Sequence, residues 1–363
     1  MEILSVSKPQ KMRLMSLDVM RGLDMFLLVG VGPLMAAWQR AFGLPTWLSA
    51  QLRHVDWAGL TAWDLIMPWF IFMCGAAIPF ALPKRLEGGR ARGRYWRHVT
   101  MRVALLWILG MIVQGNLLQM KWEYLQFYNN TLQAIAAGYL IAALLYLVPN
   151  RCVRYALPFL MAMGYGVALA FGGDYTPQGN LAIRLEQWIF PSNRDGYSWC
   201  LTSLMFGVMT ACGMYCTELL QSQKCVLRKI ITLFILGGGL LGGGLVLGIW
   251  EPAIKRVYTI SFTAQALGWG VLMLTLLYSV IDVCRMTRGW GLFTLYGQCA
   301  LTAYLCGMIF WQPINLTARI LTQGLTNYLS LGLYDVVQTV VSVLLLTAIL
   351  WIRQRFRCTR GLA

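Results

Sequence analysis

The sequence predicts an all-α polytopic membrane protein of about ten transmembrane helices, with both termini in the cytoplasm. Three observations carry that expectation. Of 363 residues, 58% are hydrophobic, and the mean hydropathy is +0.60. Only 12% are charged, about half the share found in soluble domains. Fifteen Trp and sixteen Tyr suit a chain that must be anchored at two membrane–water interfaces.

A helix needs about 20 apolar residues to cross the hydrocarbon core. Windows of that kind fall at 17–38, 61–82, 100–119, 130–149, 154–172, 199–220, 229–250, 258–283, 291–311 and 332–352. The first follows a basic stretch (Lys8, Lys11, Arg13) and has no small-residue cleavage site, so it is expected to act as an uncleaved insertion signal. The seventh contains Gly237-Gly238-Gly239-Leu240-Leu241-Gly242-Gly243-Gly244. Small residues at such spacing let helices approach closely, and packing is the expected role of this run. A phosphate-cradling loop would need a strand before it.

The connections alternate in charge. Lys and Arg concentrate in the N-terminal tail, around 83–102, at 150–154, 221–229 and 284–289, and in the C-terminal tail. The stretch from Lys84 to Arg94 and the tail from Arg353 to Arg357 are the clearest cases. The loops at 39–60, 120–129, 173–198, 251–257 and 312–331 carry few. The positive-inside rule places the basic set, and both termini, in the cytoplasm. The same distribution argues against a nucleic-acid partner, because the net charge of +16 is divided among short loops between apolar spans. No fixed-period repeat is visible, and the loop at 173–198 is too short to fold alone. A single transmembrane domain over 1–363 is expected, with short basic cytoplasmic tails at 1–15 and 353–363.

Ten Cys are scattered, with Cys74, Cys212, Cys299 and Cys306 inside expected spans. They form no CxxC pair and no metal-ligand spacing, so they read as small apolar packing residues and no metal is expected. Charges within spans are expensive in lipid and therefore informative. Asp18 and Arg21 lie three apart in the first span, share a helix face and are expected to pair at the cytoplasmic entrance, either as a structural ion pair or in ligand binding. Asp24 follows soon after. Asp282 lies beside Arg285 at an inner end, where a salt bridge would explain it.

The stretch Leu52-Arg53-His54-Val55-Asp56-Trp57-Ala58-Gly59-Leu60-Thr61-Ala62-Trp63-Asp64 is the most informative in the chain. Only two histidines are present, and the other, His98, falls in the basic loop. His54 sits at the outer membrane edge near two carboxylates. Histidine titrates near neutrality, so it can take a proton from a hydroxyl or amine and return it to a leaving group. A nearby Asp can fix its tautomer. Further polar groups fall in or beside spans, among them Asn116, Glu123, Asn129, Asn130, Gln133, Lys255, Thr259, Ser261 and Gln265. A cavity lined by such groups is expected, although the two-residue spacing of Thr259 and Ser261 does not put them on one helical face.

These residues also carry a resemblance. Arg13 to Gly22, followed by His54, Trp57, Gly59-Leu60-Thr61, Asp64-Leu65, Pro68-Trp69-Phe70 and Gly75, resembles the heparan-α-glucosaminide N-acetyltransferase family, and most closely its bacterial membrane homologues. The segment from Ile254 to Phe262 is similar to the family's lysine–aromatic–Ser/Thr element, and Leu132-Gln133 falls at its Leu-Gln-Arg element. The resemblance covers nearly the whole chain and is densest over the signature region 13–80. It implies a multi-pass acyltransferase of the bacterial inner membrane that moves acetyl from cytosolic acetyl-CoA to a hydroxyl or amine of a sugar or glycan at the periplasmic side. It implies His54 as the base and Asp64 as its partner, with Asp18, Arg21, Trp57, Gln133, Lys255, Thr259 and Ser261 binding acyl-CoA or substrate. Arg21 and other inner-face basic residues would meet the phosphates of CoA. Membrane lipid is an expected partner, and a homodimer is expected on base rate alone. The chain departs from the family at Gly32, where animal enzymes carry Asn, at Ala58 and Ala134, and near Gly307. The rival class is a multispan transporter of a small polar or sugar-derived solute.

Overall fold

A computed structural model of the chain describes residues 14–86, 91–191 and 196–360. Lys8, Lys11 and Arg13 of the N-terminal tail, residues 87–90 of the first basic loop and residues 361–363 lie outside the described residues. Twelve helices are used below: α1 Met15–Phe42, α2 Ala62–Ala81, α3 Ala91–Val113, α4 Thr131–Tyr146, α5 Arg151–Gly172, α6 Ser203–Gln221, α7 Val226–Leu247, α8 Ile260–Val283, α9 Gly291–Gln298, α10 Ala300–Met308, α11 Trp311–Thr322 and α12 Leu331–Phe356. Eight of them, all but α4 and α9 to α11, are long and apolar enough to cross a membrane. No strand occurs among the described residues apart from one isolated bridge. The chain is an all-α, multi-pass membrane protein.

Two of the ten expected spans take a different form. The fourth is α4, with 16 residues, just under the usual spanning length. The ninth is interrupted at Cys299, where the backbone leaves helical geometry (ψ 20°), giving α9 and α10 of 8 and 9 residues. Each half is about 12–14 Å long at 1.5 Å per residue. A broken helix at membrane depth is tolerated where the freed backbone lines a cavity. Gly297, Gln298, Ala300 and Leu301, on either side of the break, do line one.

Helices α2, α6 and α8 form the centre of the bundle, with 72%, 61% and 56% of their apolar windows buried. Helices α3 and α7, each at 17%, stand at the periphery against α4 and α8. The central crossing of α2 with α6 depends on two glycines. A Cβ at Gly75 would lie 1.8 Å from the Thr210 carbonyl oxygen, and one at Gly213 would lie 1.9 Å from that of Phe72. Helix α1 meets α9 in the same way at Gly22 and Gly297. Only part of the glycine run in α7 packs. Gly237 and Gly244, seven apart on one face, approach Leu272 and Gln265 of α8, whereas Gly238, Gly239, Gly242 and Gly243 face open space.

The two ends of the bundle differ in charge. Arg154 pairs with Glu218 at 2.7 Å at the basic end. Asp282 accepts the backbone N–H groups of Met15 and Ser16 at 3.1 and 3.2 Å, so it caps the first helix, a role that adjacency to Arg285 did not predict. The loops with few basic residues gather at the opposite end, where 53–61, 174–175, 197–198 and 251–259 hydrogen-bond to one another.

Candidate active site

Asp64 reaches the site because it starts a helix. Thr61 caps the first turn of α2, and Asp64 stands three residues on, completing a reciprocal capping box. One carboxylate oxygen, Oδ2, accepts the Thr61 N–H at 3.2 Å and the Thr61 hydroxyl at 2.9 Å. The other, Oδ1, lies 2.6 Å from His54 Nδ1 and 3.2 Å from Lys255 Nζ. One oxygen thus holds the fold and the other serves the site. The carboxyl is fully buried, and its charge is favoured by the helix N-terminus behind it.

His54 arrives on the irregular segment after Thr46–Gln51. That segment is pinned to the loop before α8: Ala58 bridges Ile254 in antiparallel fashion, and Gly59 N–H donates to Ala253 O at 2.8 Å. Gly59 has φ 129°, a conformation that a side chain would strain. A carboxylate can only accept, so the 2.6 Å contact assigns a proton to His54 Nδ1, and in the neutral ring the lone pair is then on Nε2. Lys255 Nζ, 3.1 Å from the same Nδ1, then donates to Asp64 rather than to the ring. The imidazole is half exposed and lies on the wall of a cavity.

Lys255 sits on a single 3-10 turn, Lys255–Val257, ended by Tyr258 at φ 48°. Burial lowers its pKa from the ordinary 10.5, and the Asp64 carboxylate opposes that shift. Thr259 and Ser261 hold this turn from behind. Thr259 Oγ1 accepts from Ile254 N and Phe262 N and contacts Ser261 Oγ at 3.2 Å. Ser261 N–H donates to Glu251, whose carboxyl burial pushes up in pKa against these N–H bonds. Both hydroxyl residues are fully buried and stand behind the cavity wall, positioning Lys255.

The cavity has a volume of about 640 Å³ and combines His54, Lys255, Tyr197 and Trp199 at one end with Arg21, Cys74, Arg102 and Gln298 at the other. Its middle is apolar, lined by Met25, Leu28, Ile66, Met67, Phe70 and Leu106. Ten helical residues separate Asp64 from Cys74, so the ends are about 15 Å apart along α2. Arg102 Nη2 lies 3.5 Å from Cys74 Sγ, and its guanidinium stacks 4.4 Å over Tyr139.

The expected base, His54, lines the cavity, and so do Arg21 and Lys255 among the residues expected to bind. Arg21 also reaches the Met73 carbonyl at 3.4 Å. Trp57 is outside it, and its indole N–H donates to Tyr175 O at 2.6 Å. Gln133 is buried and closes the α4 cap, accepting from Asn129 N and Asn130 N and donating to Phe127 O. Asp18 is half-buried in α1, one turn before Arg21. Sequence reasoning missed Arg102, which fell in a window read as basic loop, and Cys74, which read as packing. The signal for Arg102 was a cation inside a helix whose later residues are wholly apolar. Asn129, singled out in the sequence as a polar residue beside a span, does line the cavity, whereas Gln114 and Tyr304, drawn to it from two other segments, left no local pattern.

Three departures from the family motif have structural correlates. A Cβ at Gly32 would lie 2.6 Å from the Trp63 ring, which lines the cavity; at Gly307 it would meet Val29 at 2.5 Å. Ala134 is fully buried in the core.

No family model matches the chain. Over 148 residues, 39% of its length, it is 29% identical to heparan-alpha-glucosaminide N-acetyltransferase of Homo sapiens and 28% identical to that of Mus musculus. The matched part spans 20–21% of the length of those curated relatives. This similarity supports a relationship to those acetyltransferases.

Proposed function

We propose that the chain is a transmembrane acetyltransferase of the bacterial inner membrane. It would move an acetyl group from cytosolic acetyl-CoA to a hydroxyl or amine of a sugar at the periplasmic side. The observation that carries this reading is the placement of His54, Asp64 and Lys255 at one end of a cavity that holds Arg21 and Arg102 at the other. Guanidinium groups suit the phosphates of CoA, and the apolar middle suits the uncharged arm that bears the thioester.

In the proposed reaction the acceptor oxygen or nitrogen attacks the thioester carbonyl while His54 Nε2 takes its proton. Asp64 holds the Nδ1–H tautomer and balances the imidazolium that forms. The Lys255 ammonium uses one N–H on Asp64 and has others for the oxyanion of the tetrahedral intermediate. Collapse forms the new C–O or C–N bond and breaks the C–S bond. The proton on Nε2 passes to the departing sulfur, giving the CoA thiol. Trp57 is left out of this scheme because its N–H already has a partner.

The test is the transfer of label from acetyl-[14C]-CoA to sugar and glycan extracts by membranes that hold wild-type protein or His54→Ala. Label seen with wild type and lost in the variant supports the reading. No label with either, no CoA binding, and loss of solute uptake in His54→Ala would favour a transporter.

A further inference from the structure

The cavity also opens sideways. On α3 the large apolar residues exposed are Met101, Leu105 and Ile108 (63%, 53% and 50%), a stripe at i, i+4 and i+7 that faces lipid. The cavity face of the same helix is Arg102, Leu105 and Leu106. Leu105 belongs to both, so the two faces meet with no packed helix between them. Across the cavity stands α10, whose Met308 lines it and is 43% exposed. Helix α3 packs on α4, and α10 packs on α1, α11 and α12; neither is packed closely on the other.

The outer end of this fissure is polar. Asn129 and Gln114 line it, and Asn129 Nδ2 donates to Gln114 O at 3.1 Å and to the Gln126 side chain. Two acceptors fix the orientation of that amide. Asn129 Oδ1 is left buried with no hydrogen-bond partner, an acceptor for which a ligand hydroxyl or amine would provide the missing donor. Beside it, the loop after α3 exposes Leu118, Met120 and Trp122 at 68%, 88% and 87%. Residues of that kind sit in the membrane interface rather than in water.

We propose that the fissure between α3 and α10 admits a lipid-anchored acceptor from the bilayer, its hydrocarbon tail between Leu105 and Met308 and its sugar head beside Asn129 and His54. The inference rests on the acetyltransferase reading and names the acceptor class. A tail in this position stays within the apolar layer throughout, while the head meets polar groups only at the end where His54 stands.

The test uses the full-length protein in phosphatidylethanolamine–phosphatidylglycerol nanodiscs and a dodecyl glucosaminide with a photoactivatable diazirine in its chain. Mass spectrometry of the wild-type adducts should place them on 105–108 and 301–308. Excess unlabelled dodecyl glucosaminide should displace them and dodecanol should not. Leu105→Trp with Met308→Trp should lower labelling about tenfold, and Leu344→Trp, on an exposed face of α12, should leave it unchanged. The wild-type adduct map decides the matter even if the paired variant fails to fold. Adducts spread evenly over the lipid-facing helices, or displaced equally by dodecanol, would overturn the proposal in favour of ordinary lipid. Cross-links between copies at these positions would overturn it in favour of a second chain. Displacement by decanoyl-CoA alone would assign the fissure to the donor. Acetyl transfer to free glucosamine with no site-specific labelling would remove this proposal and keep the enzyme. Site-specific labelling without any acetyl transfer would remove the acetyltransferase reading and the acceptor role with it, and leave the fissure as a glycolipid-binding site only.

Discussion

Asp64→Ala should destabilise the protein through the charge it leaves behind. Lys255 has a side chain only 7% exposed, and its sole acidic partner among the described residues is Asp64, at 3.2 Å. Removing one member of a buried ion pair typically costs about 3–5 kcal/mol. The lysine can avoid part of that by losing its proton. From an ordinary value of 10.5, neutralising it at pH 7 costs about 4.8 kcal/mol, at about 1.36 kcal/mol per pH unit. That figure is a ceiling on the charge penalty, and the lost Thr61 cap adds about 1 kcal/mol. At pH 9 the ceiling falls to about 2 kcal/mol by the same relation. The sign follows from the unpaired lysine, whose depressed pKa withdraws stability as pH falls and restores it as pH rises. The double variant Asp64→Ala/Lys255→Met carries no orphan charge, so it should be more stable than Asp64→Ala alone, with a coupling of about 2–3 kcal/mol. Equilibrium unfolding of the purified variants in mixed micelles at both pH values measures each quantity. A loss under about 1 kcal/mol at pH 7, or an equal loss at pH 9, would refute the burial of a paired charge at Lys255.

Neighbouring glycines of one run should respond in opposite ways. Gly244→Ala places its Cβ 2.7 Å from Gln265 N and should cost about 1–3 kcal/mol in the same unfolding assay, whereas Gly243→Ala meets nothing and should stay within about 0.5 kcal/mol. Glu251 has its pKa raised by burial above 4.5, so its contribution to stability is fullest below that pH and is lost as pH rises through the folded value. Glu251→Gln, which keeps an acceptor for Ser261 N–H, should therefore gain on wild type in thermal unfolding between about pH 5 and 8. Arg102→Leu should raise the KM for acetyl-CoA about tenfold with a smaller change in kcat, as expected for loss of a charge-assisted phosphate contact; an unchanged KM would place the phosphates elsewhere. Gly32→Asn should perturb the cavity by displacing Trp63, read as a change in Trp fluorescence and a loss of transfer, whereas unchanged values would mean that the ring has room to move.

The site was partly legible because its chemistry is local. His54 and Asp64 lie ten residues apart around the entry to one span, and a capping residue pattern, Thr61 with Asp64, marks where that span begins. Lys255 is 201 residues from His54, and no spacing rule links them; the structure joins them through the Ala58–Ile254 bridge. Thr259 and Ser261 were legible as polar residues beside a span, but their role as supports for the Lys255 turn depends on hydrogen bonds to Ile254, Phe262 and Glu251.

The sequence by itself determined the membrane class, the alternation of basic and sparse loops and ten apolar stretches, eight of which form long apolar helices, because hydropathy and charge act along the chain and need no partner to be read. It also singled out His54, since a titratable ring beside two carboxylates at a span edge is rare in so apolar a chain. Only the tertiary structure decided where the ninth apolar stretch would break, which face of the α7 glycine run would pack, and which polar groups would meet. Those outcomes depend on close approach between helices distant in sequence. The broken α9–α10 backbone borders a cavity, where such a break is tolerated, and that cavity exists only once α1, α2, α3, α4, α9 and α10 have assembled around it.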